Sequence, residues 1–95
     1  MSVYRFPAVV TDNSLKDQME KIKSEYREAK RAEICYRCGG REDIDKESLG
    51  MELLDLIHAT ETAIRMTFSD QEVEELRAKV IDKNARRCYY DAEHA

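Results

Sequence analysis

The chain has 95 residues, 42% apolar and 38% charged, with a net charge of −4 and an isoelectric point near 5.2. That length predicts one domain with a modest core, and three Gly, one Pro and two Phe argue against a barrel or sandwich. The acidic balance argues against a protein that coats a nucleic-acid polymer, and no apolar run of about eighteen residues offers a membrane span.

Residues 1–13 place Val3, Tyr4, Phe6, Val9 and Val10 around Pro7 and read as an extended N-terminal arm with room for a short strand. The opening lacks the apolar segment of a secretory signal. Three cysteines, an odd count, fit reduced thiols. Together these predict a cytoplasmic protein. Ser14 can cap a helix, with Asp17 in capping-box register. Leu15, Met19, Ile22, Tyr26 and Ala29 then form one apolar stripe, predicting a first helix over about residues 14–35.

Cys38-Gly39-Gly40 is the strongest break, and the polar stretch from there to Lys46 reads as a loop. A second helix is expected from near Asp45 to about Phe68. Its middle, from Met51 to Ala59, is apolar nearly all round, as in a central helix packed on several sides. Ser69-x-x-Glu72 is a second capping box. It opens a third helix with Val73, Leu76, Val80 and Ile81 on its apolar face. The segment from Asn84 to Tyr90 is basic and aromatic, and residues 91–95 form a tail. The expected fold is all-α: a helical hairpin plus a third helix over residues 14–90, completing a four-helix-type bundle by homo-oligomerisation as a dimer or tetramer.

Two acidic pairs stand out, Glu25-x-x-Glu28 and Glu52-x-x-Asp55. A three-residue step puts both members of a pair on one helical face. Such pairs are common on solvated faces, and Glu72 with Glu75 is another. Glu52 and Asp55, however, sit in the most apolar helix, where an unpaired charge is costly. On a helical wheel they lie beside Ala59, Thr62, Ala63 and Met66, opposite Leu53, Ile57, Ile64 and Phe68, with His58 one turn away. Gln18, Lys21, Glu25, Glu28 and Ala32 form a strip beside the stripe of the first helix. If the two apolar stripes pack together, the acids meet at the edge of the seam. Four carboxylates in one place ask for a hard cation such as Mg²⁺. Glu61 falls on the apolar side, and the pattern leaves open whether it pairs with a base across a subunit interface or joins the site.

Glu25-x-x-Glu28, Glu52-x-x-Asp55 and the spacing between them resemble the ExxE…ExxD signature of MazG-type nucleoside triphosphate pyrophosphohydrolases. The segment from Met51 to Ala63 looks like the central helix of short, phage-type members. Lys83-Asn84-x-x-Arg87-x-Tyr89-Tyr90 is similar to their K-N-x-x-R-G-Y-Y tail, with Cys88 in place of Gly. The match covers about residues 15–90. The resemblance implies Mg²⁺, with Mn²⁺ as a substitute, held by Glu25, Glu28, Glu52 and Asp55, and hydrolysis of an NTP or dNTP to the monophosphate and pyrophosphate. It places Lys83, Asn84 and Arg87 toward phosphate, Tyr89 or Tyr90 toward sugar or base, and Gln18 toward the base. The basic end of the third helix also has a plainer reading, as complement to the helix dipole.

Cys35-x-x-Cys38 resembles half of a zinc knuckle, which Cys88 and His94 would complete, with His58 as a substitute. Reduced free thiols are the stronger expectation. The alternatives to an enzyme are a helical module that binds nucleotide or metal without turnover, and a zinc-stapled interaction protein.

Overall fold

The computed structural model describes residues 2–88 and 90. They form three α-helices, α1 (Leu15–Cys38), α2 (Asp43–Thr67) and α3 (Asp70–Arg86), and no strand occurs among the described residues. The all-α expectation holds, and the short strand considered for the N-terminal segment does not form. The chain divides into two compact units, one spanning Tyr4–Thr67 and one built on α3 that takes in residues 2–3 with the chain from Phe68. No described helix is long and apolar enough to cross a membrane.

Ser14 starts α1 as read from the sequence. It sits outside helical space at φ −71° and ψ 163°, and its hydroxyl accepts the Asp17 N–H at 3.1 Å. The helix runs about a turn beyond the expected end. The Gly39 N–H donates to the Cys35 carbonyl at 2.8 Å, and Arg41 N–H to that of Tyr36 at 3.2 Å. A Cβ on residue 39 would lie 2.5 Å from the Cys35 oxygen, so this turn requires Gly. Gly40 (φ 88°) and Arg41 (φ 61°) reverse the chain through left-handed conformations. The loop is therefore only residues 39–42, not the longer stretch to Lys46. Asp43 and Asp45 belong to the first turn of α2, where acidic side chains complement the exposed N–H groups.

The α1–α2 hairpin is antiparallel. Gln18 reaches Ala59, Glu25 lies beside Asp55, and Glu28 lies beside Glu52, so the index on one helix falls as the other rises. Its seam corrects one expectation. The apolar stripes do not face each other: Tyr26 is 55% exposed and Leu54 47%, with Leu15, Met19, Leu53 and Ile57 also open. The buried residues are small or polar, namely Gln18 and Ala29 on α1 and Ala59, Glu61, Thr62 and Ala63 on α2. Small side chains permit close approach, and long apolar ones project from the outer faces. Within a single chain, α2 is thus not packed on all sides.

Gln18 fastens this seam. It is 1% exposed; its amide donates to the Ala59 carbonyl at 2.9 Å and accepts from the Asn13 amide at 3.1 Å. Gln18→Ala leaves a hole and an orphaned carbonyl, and is expected to cost about 2 kcal/mol, read from the urea midpoint of the metal-free protein.

In the second unit α3 opens with a complete capping box. The Ser69 hydroxyl accepts the Glu72 N–H at 3.2 Å, and the Glu72 carboxylate accepts the Ser69 N–H at 3.0 Å. Only Val73 of its apolar face is buried. After the helix, Cys88 adopts φ 59° with its N–H on the Ala85 carbonyl at 3.0 Å. This left-handed position is where the resembled tail carries Gly. Holding a residue with a Cβ there costs roughly 1 kcal/mol.

Candidate metal centre

Glu25 and Glu28 lie on α1 and Glu52 and Asp55 on α2, and the antiparallel register brings the two helices' acids together. Oxygens of Glu25, Glu52 and Asp55 all lie within 4.8 Å of one another. Among the described residues this trio is the cluster of side chains suited to a metal ion. Glu28, exposed on the same side, is a charged neighbour of both Glu25 and Glu52. All four acids named from the sequence therefore gather at one place.

The electrostatics follow from this crowding. Burial, the largest cause, and then the neighbouring charges of Glu28 and Asp55 raise the Glu25 carboxyl above its ordinary value. Lys21 partly opposes the rise, with its ammonium 3.9 Å from Glu25. Glu52 is raised by the same causes in the same order, with no cation opposing. One oxygen of each, Oε2 of Glu25 and Oε2 of Glu52, is shut away from solvent without a protein donor. Such an atom is costly unless a proton or a cation meets it. The donor set is all hard oxygen, so these residues fit a hard divalent ion.

Beside the acids lies a cavity of about 370 Å³. Its lining includes Glu25, Asp55 and His58 together with Val9, Val10, Thr11 and Asn13 of the N-terminal segment. The His58 ring stacks on Phe6 at 4.6 Å between centroids and 20° between planes, and its Nε2 is buried without a partner. Gln18 also lines the cavity. Its two bonds to Asn13 and Ala59 give it a fastening role that the sequence reading, which placed it toward a base, did not anticipate.

Glu61 resolves differently from either sequence alternative. It is 7% exposed and accepts two successive backbone N–H groups, Arg5 at 2.8 Å and Phe6 at 3.0 Å. Its position on the apolar side was the only signal in the sequence for this role. Nothing in the sequence marked Val9, Val10, Thr11 and Asn13 as cavity wall.

The remaining candidates belong to the second unit. Lys83 and Asn84 occupy the last turn of α3, Arg87 is its C-cap, and Tyr90 is half-buried. Tyr89 and His94 lie outside the described residues. Cys35 and Cys38 are exposed free thiols in the last turn of α1, and Cys88 is an exposed free thiol after α3. No family model, curated protein or solved structure matches the chain.

Proposed function

We propose that this chain is a Mg²⁺-dependent nucleoside triphosphate pyrophosphohydrolase of the MazG-like type, cleaving an NTP or dNTP to the monophosphate and pyrophosphate. One observation carries the reading. Four carboxyls from two helices converge, and two of their oxygens are buried with no protein donor, beside a cavity of about 370 Å³. Crowded acids of this kind are a functional arrangement more than a structural one, because a folded hairpin gains nothing from their repulsion.

In this reading Glu25, Glu28, Glu52 and Asp55 hold Mg²⁺, or Mn²⁺ as a substitute. The ion supplies charge neutralisation for the triphosphate and activation of water. The protein residues do the rest. A carboxylate oxygen of Glu25, Glu28 or Glu52 that the ion leaves free would accept the proton of the attacking water. Water adds at the α-phosphorus and pyrophosphate departs. Lys83, Asn84, Arg87 and Tyr90 are carried as phosphate and sugar contacts on the family resemblance, cationic and amide donors being suited to phosphate oxygens.

The same reading makes the active form a homodimer or tetramer in the cytoplasm. Leu53, Leu54 and Ile57 on α2, and Leu15, Met19 and Tyr26 on α1, are open in the single chain. Contiguous apolar faces of this extent favour a second copy. Sedimentation equilibrium tests the assembly. The chemistry is tested by pyrophosphate release from a panel of NTPs and dNTPs with Mg²⁺. Turnover of at least one nucleotide is expected. Nucleotide binding without product would support the non-catalytic module instead.

A further inference from the structure

The N-terminal segment is held to α2 by an arrangement that none of the cluster chemistry uses. Glu61 and Arg65 are one helical turn apart. The Glu61 carboxylate gathers the N–H groups of Arg5 and Phe6, and the Arg65 guanidinium donates to the Phe6 carbonyl at 2.9 Å. The guanidinium also lies over the Tyr4 ring, 3.9 Å from its centroid. Farther along, the Asn13 amide donates to Gln18, itself bonded to the Ala59 carbonyl. The segment is therefore tied at both ends, and the span between supplies Val9, Val10 and Thr11 to the cavity.

We infer that Glu61 is a positioning residue that clasps the segment so that residues 9–13 stand as a wall of the ligand cavity. A buried carboxylate that only stabilised α2 would be an expensive choice, since an apolar residue would serve that helix better. Glu61 instead matches a feature a hydrocarbon side chain cannot hold, two adjacent backbone donors. The consequence for His58 is direct. Phe6, fixed by the clasp, covers the imidazole, and the wall beyond it sets how a ligand enters beside Asp55. This inference rests on the nucleotide reading for its substrate, but the placement of the wall does not.

Glu61→Gln is the test, since the amide keeps the size but turns one donor toward a backbone N–H. Circular dichroism should show unchanged helix content. Hydrogen–deuterium exchange at Arg5 and Phe6 should rise. Diethyl pyrocarbonate should modify His58, followed by mass spectrometry, on the order of tenfold faster, as expected when a charge-assisted bond is lost. For whichever nucleotide the wild type accepts, KM should rise on the order of tenfold while kcat changes by less than about threefold, the mark of lost binding and not lost chemistry. Unchanged labelling of His58, or faster labelling with unchanged KM, overturns the assignment. If the wild type turns over no nucleotide, the pyrophosphohydrolase reading falls, and the labelling result still decides whether Glu61 holds the wall. Should Glu61→Gln fail to fold, Glu61→Asp, which keeps the charge but draws the carboxylate back from the Arg5 and Phe6 N–H groups, is read the same way.

Discussion

Glu52→Gln is expected to lower pyrophosphate release at least about a hundredfold while making the metal-free protein melt at a higher temperature. The loss follows from the reading of Glu52 as a ligand and a candidate base. Weakening a metal site and removing a base each carry costs of that order or more. The gain follows from repulsion. Glu52 has Glu28 and Asp55 as charged neighbours and no cation opposing them, so an uncharged amide of the same shape relieves the crowding. The opposite signs matter, because a variant that merely unfolded would lose both activity and stability. Isothermal titration with Mg²⁺ or Mn²⁺ and thermal melts in chelator separate the two effects. An active Glu52→Gln protein would refute the catalytic assignment.

The second large effect is an inverted dependence of stability on pH. Glu25 and Glu52 both lie above the ordinary value of 4.5 in the folded chain. Above that value the folded state retains protons that the unfolded chain releases. Stability contributed by these groups is therefore lost as pH rises through their raised values. Glu72 behaves in the opposite way. Its backbone and side-chain bonds to Ser69 hold it below 4.5, so its contribution is present above 4.5 and lost only in more acid solution. Glu33 is held low by Arg37 in the same sense. The windows do not coincide, so the metal-free protein should melt higher near pH 5 than near pH 7. Mg²⁺ or Mn²⁺ should raise the melting temperature at pH 7, and the increment should shrink toward pH 5 as protons compete for the same oxygens. Melting curves with chelator and with each ion, across this range, give the answer. An ion effect independent of pH would remove the carboxyls from the binding site.

Much of this arrangement was legible in the residues. Ser14 and Ser69 marked the two helix starts they cap, because a side-chain oxygen followed by free backbone N–H groups is a local event. That Glu25 and Glu28 share one face, and Glu52 and Asp55 another, was legible because periodicity fixes it, whereas their meeting across the helices was expected from apolar stripes that do not face each other. What escaped was the choice of face. Periodicity grouped Leu15, Met19 and Tyr26 against Leu53 and Ile57, but the single chain buries Gln18 of the polar strip, Ala29 from the edge of the stripe, and Ala59 and Thr62. That choice depends on which neighbours are available, and sequence spacing holds no information about a second copy. The short turn also escaped, because Asp43 and Asp45 read equally as loop residues or as a helix's acidic first turn. Glu61 was visible as an anomaly, but its partners are main-chain groups of Arg5 and Phe6, and a backbone donor has no signature in residue identity.

The alanines of the hairpin have a consequence for its lineage. Ala29 and Ala59 are each 4% exposed, so the gap between helix axes is set by methyl groups. That gap is also the ruler for the distance between the Glu25 and Glu52 oxygens. A descendant that enlarged either alanine would spread the carboxyls apart without touching one of them. Under the proposed metal reading, selection on ion binding should thus be felt at residues that never meet the ion, and small side chains at 29 and 59 should change only together with the acids.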